Sequence, residues 1–213
     1  MRHLLSIVVL AFAGIAFLGG SEQVHAEMVL YDNGPIEGGP EGAWSIQFQN
    51  VTNSFTLASA SSLTEVRLGI WAFDGTVPFS LNWSIGTSPF GSELAAGANS
   101  LISNTTYGSF VTDDGELILI YSSSFEINAN VGPGSYFLTL SNGIGTGAYT
   151  NIYWDINHGP SMAYLDSISI PVNSESFQII GNVATVPEPS TIALSGLGGI
   201  GLAVAGYRRR LAV

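Results

Sequence analysis

The feature that most constrains this chain is an apolar pattern of period two that runs through its central part. The two clearest stretches place Val66, Leu68, Ile70 and Ala72 on one face, and Phe79, Leu81, Trp83 and Ile85 on another. Because successive side chains of a β-strand point to opposite faces, both stretches are predicted strands, with these residues in the core. No long window of the central part shows a convincing helical stripe, although residues 92–102 are ambiguous.

Further strands are predicted at short intervals, at residues 44–48, 54–57, 117–121, 125–128, 136–140, 152–155, 163–170 and 176–180. Turn clusters separate them, among them Asp74-Gly75 and Ser141-Asn142-Gly143. An Asp-Gly pair between two strands is typical of a hairpin, so the strands around Asp74 should be sheet neighbours. Many short strands with Gly/Pro turns predict an all-β fold, an antiparallel β-sandwich of jelly-roll-like kind, over residues 27–181.

The N-terminal residues have the composition of a secretory signal peptide. Arg2 and His3 form a basic start, residues 4–18 are almost entirely apolar, and Val24-His25-Ala26 ends in the small-residue manner of a cleavage site. We therefore expect a signal peptide at residues 1–26 that directs export and is removed after Ala26.

The C-terminal residues predict an extended linker followed by a membrane anchor. Pro187 and Pro189 flank Glu188, and two prolines so close together prevent a continuous helix or a central strand, so residues 182–190 should be extended. Residues 191–213 combine an apolar stretch, just long enough for a transmembrane helix, with a basic tail. The basic cluster, Arg208, Arg209 and Arg210, should lie on the cytoplasmic side.

This order of Pro187-Glu188-Pro189, apolar helix and Arg208 to Arg210 at the C-terminus resembles the PEP-CTERM sorting signal of exported bacterial proteins. The resemblance implies recognition by a membrane-embedded exosortase and cleavage near the motif. It also implies release or attachment at the surface of a Gram-negative bacterium that makes exopolysaccharide. An ordinary C-terminal membrane anchor is the alternative.

The charge of the exported part excludes nucleic acid as a partner. Between residues 27 and 186, Arg67 is the only basic residue and there are fourteen acidic ones, which gives a formal charge of −13. Such a surface repels the phosphate backbone of nucleic acids and anionic lipid headgroups.

The exported part holds few residues capable of catalysis, and we expect no enzymatic activity. The chain has no cysteine and no lysine, and His158 is the sole histidine of this part, within a predicted turn. No Gly-x-Ser-x-Gly nucleophile elbow occurs. A polysaccharide-acting enzyme would need a pair of carboxylates, for which the candidates are Glu65, Glu116, Glu126, Asp155 and Asp166.

No cofactor is expected apart from a structural calcium ion. Asp113, Asp114 and Glu116 bring three carboxylates together around Gly115, and hard cations bind oxygen ligands of this kind. The spacing does not fit an EF-hand loop, and a solvated hairpin tip is the alternative.

Aromatic residues make sugar binding the main functional alternative to a structural role. Trp83 shares its face with Leu81 and Ile85 and should be in the core, whereas Trp71 lies on the opposite face of its strand and should be more exposed. Tyr149 and Tyr153 share another face. Trp71, Tyr149 and Tyr153 are therefore the candidate sugar-binding residues, because aromatic side chains offer apolar faces with polar handles.

Together these features predict an exported, surface-sorted structural or adhesive protein of the cell envelope and exopolysaccharide matrix. Before processing it should be anchored in the inner membrane and face the periplasm. The expected partners are the export machinery, the inner membrane and an exosortase, with extracellular polysaccharide as a further candidate. A carbohydrate-binding module is the alternative function, followed by a small polysaccharide-acting enzyme.

Overall fold

The computed structural model of the chain describes residues 27–39, 42–147, 149–166 and 168–184. These residues form thirteen β-strands: β1 (Met28–Asp32), β2 (Ala43–Ser45), β3 (Val51–Leu57), β4 (Ser61–Phe73), β5 (Thr76–Gly86), β6 (Ala95–Leu101), β7 (Ser103–Val111), β8 (Leu117–Val131), β9 (Gly134–Gly147), β10 (Ile152–Asp155), β11 (Ala163–Leu165), β12 (Ile168–Val172) and β13 (Phe177–Val183). No helix in this part of the chain is long and apolar enough to cross a membrane.

Four features predicted from the sequence lie outside the described residues. They are the signal peptide at residues 1–26, the Pro187-Glu188-Pro189 motif, the helix within residues 191–213 and the basic cluster Arg208 to Arg210.

The strands form two antiparallel sheets, which confirms the all-β fold class. In the seven-stranded sheet, β4 is central: β13 and β10 pair with successive parts of one edge, and β8 pairs with the other. Strands β1, β2 and β7 lie outermost, on β13, β10 and β8. The six-stranded sheet has the order β12-β11-β3-β9-β5-β6.

The main core lies between the two sheets and draws large apolar side chains from both. Phe55 of the six-stranded sheet meets Phe177 of the seven-stranded sheet edge to face, with ring centroids 6.4 Å apart. Trp154 packs against the same Phe177 ring at 5.8 Å, and its indole N–H donates to the Ser176 carbonyl. Trp83 is buried, as predicted. Aromatic pairs of this geometry add about 0.5–1.5 kcal/mol each to the stabilisation from area burial.

The Asp74-Gly75 turn does not form the predicted hairpin. Strand β4 belongs to the seven-stranded sheet and β5 to the six-stranded sheet, so this turn carries the chain from one sheet to the other. The Tyr121 hydroxyl of β8 donates to the Thr76 carbonyl at 3.1 Å and ties the start of β5 to the opposite sheet. The Asp-Gly pair correctly indicates a tight reversal, but it does not specify which sheet receives the next strand.

The predicted turn at Ser141-Asn142-Gly143 is instead a bulge inside β9. Ser80 pairs with Ile144 and Asn82 pairs with Ser141, so β9 has one more residue than β5 between these pairs. Asn142 has φ 47°, a left-handed conformation that Asn tolerates better than most residues. The strand therefore bends at this point and continues.

The alternation predicts Phe79 in the core, and this prediction is wrong because of a second bulge. Pro78 pairs with Gly145 and Ser80 pairs with Ile144, which makes Phe79 the extra residue on β5. Its side chain is 49% exposed, whereas Leu81 is fully buried. The two bulges lie next to each other, so the alternation is restored after Ser80.

Both ends of the described chain leave the sandwich from the same end. Met28 pairs with Gly181, and Val183 pairs with Ser61, the first residue of β4. We call this the exit end. Strand β4 runs from there to Phe73 at the far end, roughly 40 Å away at about 3.4 Å per residue. Strand β13 continues two residues past the predicted domain limit at residue 181.

A segment of residues 34–38, which we call the strap, crosses the outer face of the seven-stranded sheet. The Tyr107 hydroxyl of β7 donates to the Ile36 carbonyl at 3.1 Å. Gly69 of β4 lies beneath the strap, and a Cβ there would come within 2.7 Å of Ser176 Oγ, 2.8 Å of Asp155 Cβ and 3.0 Å of Ile36 Cγ2. The strap can therefore lie this close only because residue 69 has no side chain.

We expect Gly69→Ala to lower the free energy of unfolding by about 1–3 kcal/mol, because the added methyl group displaces the strap or Asp155. Gly108→Ala on β7 is the matched control, since a Cβ there meets nothing within 4 Å. Urea unfolding of residues 27–184, followed by tryptophan fluorescence, measures both. Equal stability of the two variants would show that the strap is not packed on Gly69.

Candidate functional site

An apolar groove of about 290 Å³ lies on the outer face of the seven-stranded sheet, at its far end. It is the surface of a second, smaller apolar cluster, which is separate from the main core. The residues that shape it are Ala43, Trp71, Phe73, Phe110, Glu116 and Tyr153. They come from β2, β4, β7, β10 and the hairpin between β7 and β8.

Cross-strand register brings the aromatic residues of the groove together. Trp71 of β4 pairs with Tyr153 of β10 on one side and with Ile120 of β8 on the other. The Phe110 ring of β7 meets the Trp71 ring edge to face, with centroids 4.9 Å apart. Phe73 contacts Tyr153 at 6.0 Å and Tyr149 at 5.3 Å, so the aromatic surface extends from the groove to Tyr149.

The buried carboxylate of Asp155 holds both Trp71 and the strap in place. Its Oδ1 accepts hydrogen bonds from the Trp71 indole N–H at 2.7 Å and from the Gly38 amide at 3.0 Å. Its Oδ2 accepts from the Glu37 amide, also at 3.0 Å. Burial raises the pKa of the Asp155 carboxyl, and the hydrogen bonds from Glu37, Trp71 and Gly38 offset part of that rise.

The same end of the strap is also held by a contact between Glu37 and His158. The carboxylate of Glu37 accepts from the His158 amide at 3.1 Å, and its Oε2 lies 3.0 Å from the His158 ring Nδ1. His158 follows β10 in an irregular segment. This pair therefore joins the strap to the segment that leaves β10.

A buried polar network adjoins the strap, where Asn33 after β1 meets the segment between β12 and β13. The Asn33 side chain donates to Ser174 Oγ at 2.6 Å and to the Glu175 carbonyl at 2.5 Å, and Asn157 donates to the Asn33 carbonyl at 2.7 Å. Glu175 is fully buried, and neither of its carboxylate oxygens has a hydrogen-bond partner. Burial and the nearby Asp155 charge raise the pKa of Glu175 well above its usual value.

The groove brings together two of the three candidate sugar-binding residues, Trp71 and Tyr153, and Tyr149 adjoins them. The expected exposure of Trp71 is wrong: its side chain is only 8% exposed, because Phe110 and the Asp155 contact cover it. Tyr153 is half-buried and Tyr149 is 56% exposed. Trp71 therefore forms the floor of the groove, and the two tyrosines offer the accessible rings.

Two aromatic residues of the groove, Phe73 and Phe110, were not among the predicted site residues. Phe73 lies two positions after Trp71 on the same face of β4, so the alternation that singled out Trp71 also indicates Phe73. Phe110 lies on β7, where six of the nine residues are Ser, Thr, Asn or Gly and for which the sequence predicts no strand. No local signal reveals its position beside Trp71.

The three candidate calcium ligands lie at the tip of the β7–β8 hairpin, and all three are exposed. The tip is closed by backbone bonds from Thr112 to the Glu116 carbonyl and from Gly115 to the Thr112 carbonyl, both at 2.9 Å. Within the described residues, no group of three or more acidic, histidine or cysteine side chains is arranged to hold a metal ion. Asp113, Asp114 and Glu116 therefore do not form a ready-made site, and calcium binding stays a prediction.

Of the carboxylates considered for catalysis, Glu65 and Glu126 lie directly opposite each other on β4 and β8. They line a larger groove, of about 1000 Å³, near the exit end. Partial burial raises the pKa of Glu65, but hydrogen bonds from Arg67 and Ser124 outweigh it, so the pKa lies below its usual value. A catalytic acid needs the opposite shift. The other three candidates lie apart: Asp155 is under the strap, Glu116 is at the hairpin tip, and Asp166 binds Asn50.

Comparison with known proteins identifies the C-terminal segment. Residues 185–210 match the PEP-CTERM protein-sorting motif, which confirms the resemblance seen in Pro187-Glu188-Pro189 and Arg208 to Arg210. Such a motif implies export, sorting to the cell surface and processing by an exosortase. No curated protein sequence matches the chain. The matched segment begins two residues after β13 ends, so it follows directly on the folded part.

We expect the stability of the protein to fall with rising pH because of Glu175. The ordinary carboxyl pKa is 4.5, and at pH values just above it the unfolded chain has lost the Glu175 proton whereas the folded state keeps it. The stabilisation is complete below the unfolded pKa and is lost as pH rises towards the folded pKa, by about 1.4 kcal/mol per pH unit. Glu175→Gln should make this part of the profile flatter in urea unfolding of residues 27–184.

Glu126→Gln is the control for this measurement, because it removes an exposed carboxylate of the same type. It should keep the slope of the wild type. Parallel profiles for the wild type and Glu175→Gln would show that Glu175 is ionised in the folded state.

Proposed function

We propose that this chain is an exported structural or adhesive protein of the cell envelope and exopolysaccharide matrix of a Gram-negative bacterium. In this proposal its jelly-roll-like sandwich has no enzymatic machinery and needs no cofactor. An exosortase processes the chain at its C-terminal signal. The observation that carries the proposal is the PEP-CTERM motif at residues 185–210, which follows directly on β13.

The sorting mechanism follows from the physical character of each segment. The signal peptide directs export through the export machinery, and the apolar helix holds the chain in the inner membrane with Arg208 to Arg210 inside. Pro187 and Pro189 keep the segment between helix and sandwich extended, because proline lacks an N–H and has a fixed φ. An extended backbone is accessible to a processing enzyme, so these residues are a substrate and not a catalytic site.

The surface of the sandwich supports a role outside the cell and away from nucleic acid. Arg67, the one basic residue between residues 27 and 186, is paired with Glu65 at 2.8 Å, so it adds little positive potential. The candidate groove lies at the far end of β4, whereas the sorting motif follows from the exit end. A chain held by its C-terminal segment would present this groove away from the point of attachment.

Replacement of Pro187, Glu188 and Pro189 by alanine should block processing. The wild type from its native host is expected to lack the helix and the arginines and to lie on the surface or in the matrix, whereas the variant stays full length in the membrane. Intact mass and cell fractionation measure this, with Pro133→Ala, an exposed proline between β8 and β9 and outside the matched segment, as the control. Full-length protein in the inner membrane for both wild type and variant would reduce the C-terminal segment to a plain anchor.

A second candidate function, carbohydrate binding in the strict sense, is favoured by the aromatic groove. Half-buried Phe73 and Tyr153 and the exposed ring of Tyr149 form a continuous apolar surface. Sugar rings bind such surfaces through their apolar faces, while neighbouring polar groups bind the hydroxyls. Thr112 and Glu116 supply polar atoms at the rim of the same groove.

Oligosaccharides from the extracellular polysaccharide of the host should shift the tryptophan fluorescence of the protein in a saturable manner, because Trp71 forms the groove floor. Tyr153→Ala should weaken binding about tenfold, a loss of about 1.4 kcal/mol. Tyr164→Ala makes the same change on β11 of the other sheet and should leave binding unchanged. A wild type without a saturable shift would leave only the structural role.

A further inference from the structure

The rim of the aromatic groove is acidic on the side of the β7–β8 hairpin. Glu116 lines the groove, and Asp113 and Asp114 are exposed on the same tip. In the described part of the chain the Glu116 carboxylate has no hydrogen-bond or ion-pair partner. Its backbone is engaged instead: the amide donates to Thr112 Oγ1 at 3.0 Å, and the carbonyl accepts from the Thr112 amide at 2.9 Å. The carboxylate is therefore available to a bound molecule.

No basic residue of the exported part is placed to neutralise this rim. Arg67, the only one, lies four residues before Trp71 on β4, and two of its guanidinium nitrogens donate to Glu65 at 3.1 and 2.8 Å. The formal charge of −13 for residues 27–186 adds a negative field over the whole surface. A ligand with carboxylates or sulfates would meet repulsion at the groove, whereas a cationic ligand would be attracted.

The aromatic wall of the groove favours the same sign of charge. The faces of Phe and Tyr rings carry a negative quadrupole, so they attract ammonium groups within about 6 Å. Tyr153 and Phe73 are both half-buried, and their rings meet each other at 79°. Both residues line the same groove as Glu116.

We propose that the groove binds a polysaccharide that carries free, protonated amino groups, in the manner of a partly or fully deacetylated glucosamine polymer. The sugar rings lie on Phe73, Tyr153 and Tyr149, and an ammonium group pairs with Glu116 at the rim. The volume of about 290 Å³ is at the small end of ligand pockets, which suits one or two sugar units of a longer chain. This inference rests on the carbohydrate-binding function proposed above and adds the charge of the ligand.

The test compares two insoluble polymers with the same backbone, cross-linked chitosan beads with free amino groups and chitin with acetylated ones. Full-length protein in detergent is sedimented with each polymer, at mildly acidic pH where amino groups are protonated and at mildly alkaline pH where most are not. We expect at least tenfold tighter binding to chitosan at acidic pH and loss of this preference at alkaline pH. A soluble lysine-rich peptide serves as competitor.

Two variants with the same change in net charge locate the effect. Asp113→Asn, Asp114→Asn and Glu116→Gln together should reduce the preference for chitosan about tenfold. The control combines Asp32→Asn, Glu126→Gln and Asp166→Asn, which are exposed acidic residues away from the groove, and it should keep the preference. Tyr153→Ala should weaken binding to both polymers.

The outcomes separate this inference from the function on which it rests. Equal binding to chitin and chitosan, reduced by Tyr153→Ala, would overturn the cationic preference and leave carbohydrate binding standing. Equal losses in the two triple variants, or displacement by the lysine-rich peptide at equal charge concentration, would show general electrostatic attraction and overturn the proposed site. Binding to neither polymer, together with no response to the polysaccharide of the host, would overturn both.

Discussion

The carboxylate of Asp155 is the interaction on which the arrangement of the outer face depends. A charge without water is costly unless donors surround it, and here two strap amides and the Trp71 indole supply them. The same three bonds fix the strap over Gly69 and set the orientation of the Trp71 ring. Because the Phe110 ring packs on Trp71, the position of the candidate site follows from Asp155, a residue that does not line the groove. The strap and the groove are thus coupled through one buried side chain.

The period-two pattern predicts the fold class and most strands correctly, because alternation is a local property of a chain with one face in the core. Two misplaced features required information from distant residues. Whether the chain stays in one sheet after Asp74-Gly75 depends on the neighbours of β4, which already has β8, β10 and β13 along its edges. Whether strand β9 ends at Asn142 or continues through a bulge there depends on its register with β5. Strand β7 was missed because its polar and small residues cover an outer edge and carry no apolar alternation.

The candidate site could be predicted only in part, for a similar reason. Residue type and strand face suggested Trp71, Tyr149 and Tyr153, and β4 pairs with β10 so that two of these meet. The face of β4 that the sequence predicts to be exposed is covered instead, because the strap crosses it and the Phe110 side chain of β7 packs on it. Neither contact has a signature in the sequence. The C-terminal motif was predictable in full because it is a linear signal, in which the order of residues carries the information without any fold.

The common exit of both chain ends has a mechanical consequence. If the chain is attached through its C-terminal segment and a polymer pulls at the far end, the force enters through Val183 and runs lengthwise along β13. That strand pairs antiparallel with β4 from Phe177 to Val183, so the load acts along the strands and across all of these hydrogen bonds at once. A ladder loaded in shear resists until many bonds fail together, whereas a ladder pulled at one end opens bond by bond. The topology thus suits a domain that must stay folded under tension.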